Sequence, residues 1–485
     1  MVRHPATLLL AVLAAWSSTL PIGVGPDSEF HLASTWCAAG IREGQCESGS
    51  EALTRRVPAE VVGQCPLMLA TSVCLQMTRL SQPSEMRETT WVNTSGTYVD
   101  AYYWINSLLV TDNVEWSVVA IRMLGVALFV AVFAVALSVA TARIRRSLVI
   151  AIGVTAPSYL WLVSLVTGQS WTTTGLAGYW VFALVAGESV DWSDRRRRTA
   201  VAGMVGCAAL VAASRTDGVA LLFVSTAICA VIALERRSVS LGRQMLVACG
   251  TALVGFVVLR FVLSPSYFRY FLAVFAGEHD LLSKYNFTSA ELMFHNIHHS
   301  AEFVMASLAG QHQTVGDPTI VGPTVYLVSF ALGGLAFLVS GRPTRQFWIA
   351  LAGVTVALVV YPVLAALRNG ETMIQEFIPR YLAPFAIPAV GLLLIHAPGV
   401  ARLDTMSSSV RRLLVGIIAV SHASALHLAM RFAVSGDNLG VSSWNLNKWV
   451  LWWWSIGPSP MTMWMLGSVA LPMLVNAQLK ETIDA

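Results

Sequence analysis

The stretch WSVVAIRMLGVALFVAVFAVALSVATA, Trp116 to Ala142, carries one charged side chain, Arg122, in an otherwise apolar run. A helix rises about 1.5 Å per residue and the hydrocarbon core of a bilayer is about 30 Å thick, so about 20 apolar residues cross it. This run exceeds that length, and it is not alone. Further apolar runs lie near 6–22, 147–166, 171–187, 199–214, 218–234, 244–264, 320–340, 346–367, 381–397, 412–431 and 461–477, which makes about twelve predicted spans. The composition agrees. Of 485 residues 55% are apolar and 12% charged, well away from the averages of soluble domains. The expected fold class is an all-α polytopic membrane protein.

Basic residues orient the spans, because cytoplasmic flanks are rich in Lys and Arg. With the N-terminus inside, five separate arginine groups fall on the cytoplasmic side. They are Arg143, Arg145 and Arg146; Arg195 to Arg198; Arg236, Arg237 and Arg243; Arg342 and Arg345; and Arg402, Arg411 and Arg412. The C-terminus then also lies inside, and the protein is placed in the plasma membrane. The net charge of +4 averages two opposite faces and does not point to nucleic acid. The apolar run from Pro5 to Val24 is long enough to span, and SSTLPIGVG lacks an A-x-A cleavage site, so the first run reads as an uncleaved helix rather than a signal peptide.

On this topology three extracytoplasmic regions are long enough to hold structure: 23–115, 265–319 and 432–460. In the first, residues 59–80 and 98–110 suit helices lying at the interface, with Tyr and Trp at headgroup depth. It also holds Cys37, Cys46, Cys65 and Cys74. An even number outside suggests disulfides. Three pairings are open, of which Cys37 to Cys46 and Cys65 to Cys74 is the local solution. The third region contains KWVLWWWSIGPSP, Lys448 to Pro460, which reads as an interfacial tryptophan belt.

The segment GPDSEFH, Gly25 to His31, puts Asp27, Glu29 and His31 just beyond the first span. In an extended segment residues two apart face the same way, so both carboxylates would look into one cavity. Elsewhere Arg215 and Asp217 form a polar island between two short spans, and Arg122 sits inside the second span. Intramembrane charges of this kind are functional hypotheses, with a plain helix-to-helix ion pair as the alternative. His295, His298 and His299 have i, i+3, i+4 spacing, which suits either a hydrated loop helix or a metal site. His422 and His427, in the eleventh span, read as helix-packing residues.

An Asp-x-Glu at the start of a large first external loop, on a polytopic chain with juxtamembrane helices, resembles the GT-C membrane glycosyltransferases. More narrowly, PDSEFHLASTWC, SRTDG and QEFIPRYLAPF resemble a bacterial family of predicted integral membrane proteins of largely unassigned function. The GT-C resemblance implies a polyprenyl-phosphate-linked sugar donor, an envelope glycan or glycolipid acceptor, and an active site on the extracytoplasmic face. It implies Asp27 as general base and Glu29 as the second carboxylate, orienting the acceptor or binding a divalent cation; no cofactor is otherwise indicated. His31 becomes a substrate contact. Arg380, where the tenth span begins, suits bidentate phosphate contact, or else snorkels to the interface. Tyr381 adds a hydroxyl, Gln375 a sugar contact, and Arg215, Asp217 and Arg122 further substrate-binding charges. The rival expectation is a transporter or flippase of lipid-linked glycans, which buried charge at Arg122, Arg215 and Asp217 also suits.

Overall fold

Helix α4, Val114–Val139, occupies the stretch quoted above. It starts where the Asn113 side chain accepts the amide of Trp116, an N-cap that satisfies one of the orphan donors of the first turn. The computed structural model describes residues 4–23, 27–62, 85–96, 98–188, 193–236, 250, 288–309, 343–373, 379–397, 407–435, 444–450 and 452–480. Predicted spans 244–264, residue 250 apart, and 320–340 lie outside them, as do Cys65, Cys74 and Gln375.

Among the described residues four helical stretches are long and apolar enough to cross a membrane: Val114–Val139, Gly218–Glu235, Arg345–Leu367 and Ser408–Ser435. Two shorter apolar helices are α1, Pro5–Ser17, and a stretch at Ala383–His396. Four other helices also have spanning length: α5, Ala142–Val163; α6, Gly168–Glu188, which carries a run of threonines; α7, Arg195–Ser214; and α15, Pro460–Lys480. Burial accounts for α6, which is enclosed by protein over most of its length, threonines included. A helix that touches other helices rather than lipid has partners for Thr and Ser hydroxyls. Thus Thr174 Oγ1 bonds the Ser170 carbonyl and Thr172 Oγ1 meets Ser214 Oγ.

Helix α6 packs on α4, α5, α7 and α8, Thr216–Arg236. Small residues permit the approach: a Cβ on Gly175 would stand 2.6 Å from the Cys207 carbonyl oxygen of α7. Helix α5 packs on α13, Ala386–His396, and on α15. Helix α15 joins α1 to α14, Ser408–Ser435. A hydrogen bond of 3.0 Å from Trp16 Nε1 to His422 Nε2 ties α1 to α14 directly, which gives His422 the packing role expected of it. His427 likewise lies against Trp444 and Trp464.

The ends of the bundle differ. At one end Arg143 bonds the Ala397 carbonyl, Arg196 bonds the Val139 carbonyl, and Arg345 pairs with Glu235 at 3.3 Å. Three arginine groups separated in sequence therefore gather on one side. The opposite end carries a cap of α2, Ser28–Cys37, α3, Asp100–Ser107, and a three-stranded antiparallel sheet. Its strands are β1, Glu47–Ser48; β2, Arg55–Pro58; and β3, Met86–Thr89. The cap has its own core, in which Leu32, Trp36, Val57 and Val92 meet Val114, Val118 and Trp454.

The described chain is mostly helical, in keeping with the all-α expectation, and the cap adds one small sheet. Strands as short and charged as RRVP and MRET have no hydrophobic alternation to announce them, and pairing with each other is what makes them strands. Of the four cysteines predicted to lie outside, Cys37 and Cys46 form a disulfide. Of the predicted interfacial helix at 98–110, residues 100–107 are helical.

Candidate active site

The segment from Asp27 to His31 begins a helix and is not extended. Asp27 is the N-cap of α2 in the left-handed conformation, φ 54°, and its carbonyl accepts the amide of His31 at 3.0 Å. Alternation along a strand therefore does not bring Asp27 and Glu29 together, which corrects the extended reading. An N-cap aspartate ordinarily turns its carboxylate onto the amides of the first turn. Asp27 makes no such cap. Its Oδ2 instead accepts a 2.7 Å hydrogen bond from Arg380 Nη2, across 353 residues of sequence.

Arg380 stands in a 3-10 turn, Pro379–Tyr381, at the entry to α13. Its carbonyl accepts from Gln169 Nε2 at 2.9 Å, so the N-terminal turn of α6 fixes the height of the arginine. The Arg380 side chain is 8% exposed and that of Asp27 33%. The cation is thus buried while its anion faces an opening. Arg380 Nε is also buried and, among the described residues, has no hydrogen-bond partner.

Around the pair the cap supplies aromatic rings. Arg380 lies 5.6 Å from the centre of the Tyr381 ring, and Arg215 lies 5.6 Å from the same ring and 5.5 Å from that of Tyr98. Both distances suit cation–π contact. His31, fully buried, bonds Tyr103 Oη through Nδ1 at 2.8 Å and packs on Phe30 and Tyr98. Burial, aided by the positive charge of Arg215 and Arg380, pulls His31 down to about 3, so it is neutral at physiological pH. Glu29, in the first turn of α2, is raised by burial from 4.5 to about 7. The site therefore holds a buried arginine and a second arginine over the same tyrosine.

Of the residues singled out in sequence, Asp27, His31, Arg215, Arg380 and Tyr381 come together, while Glu29 shares α2 with His31 and its carboxyl bonds none of them. The side chain of Asp217 and all of Gln375 lie outside the described residues. Arg122 stands apart: Nη1 donates to the carbonyls of Ser17 and Leu20 at 2.9 and 2.7 Å, and Nη2 to that of Pro21 at 3.2 Å. It closes the C-terminal end of α1 beneath Trp454. His295, His298 and His299 do share one surface with Glu302, which meets His299 at 3.2 Å. Among the described residues no group of three or more His, Cys, Asp or Glu is placed to hold a metal ion.

Sequence reasoning missed Tyr98, Tyr103 and Gln169. The first two belong to the aromatic helix that read as an interfacial anchor, and the clustering of three tyrosines within six residues was the available signal. Gln169 carried none, because its role is to bond a backbone carbonyl far away in sequence.

No curated protein and no solved structure is similar to the chain. A family model does match, over residues 10–389, a stretch that holds every residue of the site described above. The chain belongs to that family, the predicted membrane proteins DUF2142.

Proposed function

We propose that this protein is a GT-C-like membrane glycosyltransferase of about twelve spans, which moves a sugar from a polyprenyl-phosphate donor to an envelope glycan or glycolipid on the extracytoplasmic face. The observation that carries this reading is the Asp27 carboxylate, which forgoes its helix cap to pair with a buried arginine. In the reaction the acceptor oxygen attacks the anomeric carbon as the bond from that carbon to the phosphate oxygen breaks. The electron pair leaves with the polyprenyl phosphate, and the acceptor proton passes to a carboxylate. Single displacement inverts the anomeric centre.

Arg380 is the phosphate ligand. Its unused Nε–H and its forked guanidinium suit a phosphate, and a buried cation stabilises charge developing on the leaving group more than an exposed one does. When the phosphate takes the place of Asp27 on Arg380, the aspartate is released to act as base. Donor binding and base activation are then one event. Glu29, half-buried and titrating near neutrality, orients the acceptor hydroxyl. His31 is neutral and buried, so it positions Tyr103 rather than carrying the proton.

The test is a deletion strain complemented with Asp27→Asn, Glu29→Gln or Arg380→Gln, with envelope glycans and lipid-linked sugars profiled. Glycan loss with accumulation of the charged lipid donor is the expected result. Unchanged glycans in both carboxylate variants exclude transfer and leave the transporter or flippase reading standing.

A further inference from the structure

A second cavity, of about 530 Å³, opens in the cap between α2, β2, the turn Asn93–Ser95 and α3. That is a volume typical of small-molecule sites. Its walls are mixed. Ser34, Arg55, Asn93, Thr94 and Asp100 bring hydroxyl, guanidinium, amide and carboxylate groups, while Trp104 lies at its edge with 56% of its surface exposed. The disulfide partner Cys37 is part of the wall, so the Cys37–Cys46 bond fixes the end of α2 that borders the opening.

Several of these groups are held in place by hydrogen bonds. The Asn93 amide donates to Asp100 Oδ1 and to the Tyr98 carbonyl, both at 2.9 Å, and its Oδ1 accepts the Tyr98 amide. Ser34 Oγ accepts the Asn93 amide at 3.0 Å. Arg55 uses Nη1 on the carbonyls of Ala52 and Thr54. A carboxylate and a guanidinium in one lining, each held by hydrogen bonds, suit a neutral molecule rich in hydroxyls, since each hydroxyl both donates and accepts. The carboxylate disfavours an anion. A flat indole face beside such groups suits the apolar face of a sugar ring.

We propose that this cavity binds saccharide, and that it is the acceptor subsite of the transferase. Tyr103 joins it to the active site: its ring borders the cavity and its hydroxyl bonds His31 Nδ1 at 2.8 Å. A sugar held there lies one side chain from the buried histidine that follows Glu29. The role as acceptor subsite rests on the transferase reading; saccharide binding does not.

The experiment uses the full chain in lipid nanodiscs and two probes prepared from the organism's own envelope. One is water-soluble oligosaccharide released by mild acid, followed by saturation transfer from protein to sugar protons. The other is the total glycolipid extract, followed by mass spectrometry of what co-purifies. Binding of either by the wild type supports the proposal, the first identifying a free glycan and the second a membrane-bound headgroup. Trp104→Ala is expected to weaken binding by about tenfold. Asp100→Asn, which keeps the oxygen that Asn93 uses, is expected to weaken it less. The proposal is overturned if neither probe binds, or if Trp104→Ala and Asp100→Asn both bind like the wild type. Intact binding alongside unchanged glycans in the Asp27 and Glu29 variants would instead remove the transferase reading and keep the sugar site.

Discussion

Arg122 and Arg380 are both arginines buried at the capped end of the bundle, with 3% and 7% of their surfaces exposed, yet their partners differ in kind. Arg122 is held by three backbone carbonyls, which are neutral and fixed in the main chain at and just beyond the end of α1. Arg380 is held by a single side-chain carboxylate that is one-third exposed. A carboxylate on a rotatable side chain can be exchanged for a phosphate at small cost, whereas a carbonyl at a helix terminus cannot. Burial of a charge is therefore a weak sign of function by itself, and the exchangeability of its partner is a better one.

Substitutions separate the two arginines. Arg122→Met strips three buried carbonyls of their donor and should cost about 3 kcal/mol or more of stability, read as a large fall in melting temperature in detergent. A melting temperature within experimental error of the wild type would erase the distinction. Arg380→Gln should reduce transfer by about 100-fold, equal to about 2.7 kcal/mol of transition-state stabilisation, while lowering the melting temperature less than Arg122→Met does. Arg380→Lys should recover only part of the activity, because an ammonium lacks the fork.

Glu29 sharpens the comparison through pH. A carboxyl raised from 4.5 to about 7 by burial holds its proton more tightly folded than unfolded. Its stabilising contribution is present below 4.5 and is lost as pH rises through about 7. Wild type and Glu29→Gln should accordingly melt alike near pH 4.5, and Glu29→Gln should melt higher near pH 8. Parallel curves would show that Glu29 is not buried as described. The smallest effect belongs to Trp454→Phe, which removes a 3.0 Å hydrogen bond from Nε1 to the Ser18 carbonyl above Arg122. It should cost about 1 kcal/mol and leave transfer unchanged.

The GPDSEFH segment shows how sequence and fold divide the information. That acids and a histidine follow the first apolar run is plain from the residues, and so is their distance from the arginine groups. Their conformation is not, because an aspartate that could begin a helix or continue a loop is decided by what its carboxylate meets. The charged strands of the cap were hidden for a similar reason, since Arg55 to Pro58 and Met86 to Thr89 have no pattern until they pair. Gln169 was hidden because a hydrogen bond to a distant carbonyl leaves no local trace.

The sequence by itself determined that this is a helical membrane protein, because runs of apolar residues longer than the bilayer is thick have few other stable environments. It also determined which ends of the helices carry arginine. The tertiary structure alone decided that Asp27 meets Arg380, that Arg215 and Arg380 share Tyr381, and that Arg122 closes a helix instead. Apart from the neighbours Arg380 and Tyr381, those contacts join residues 101 to 353 positions apart, and only packing brings them within reach.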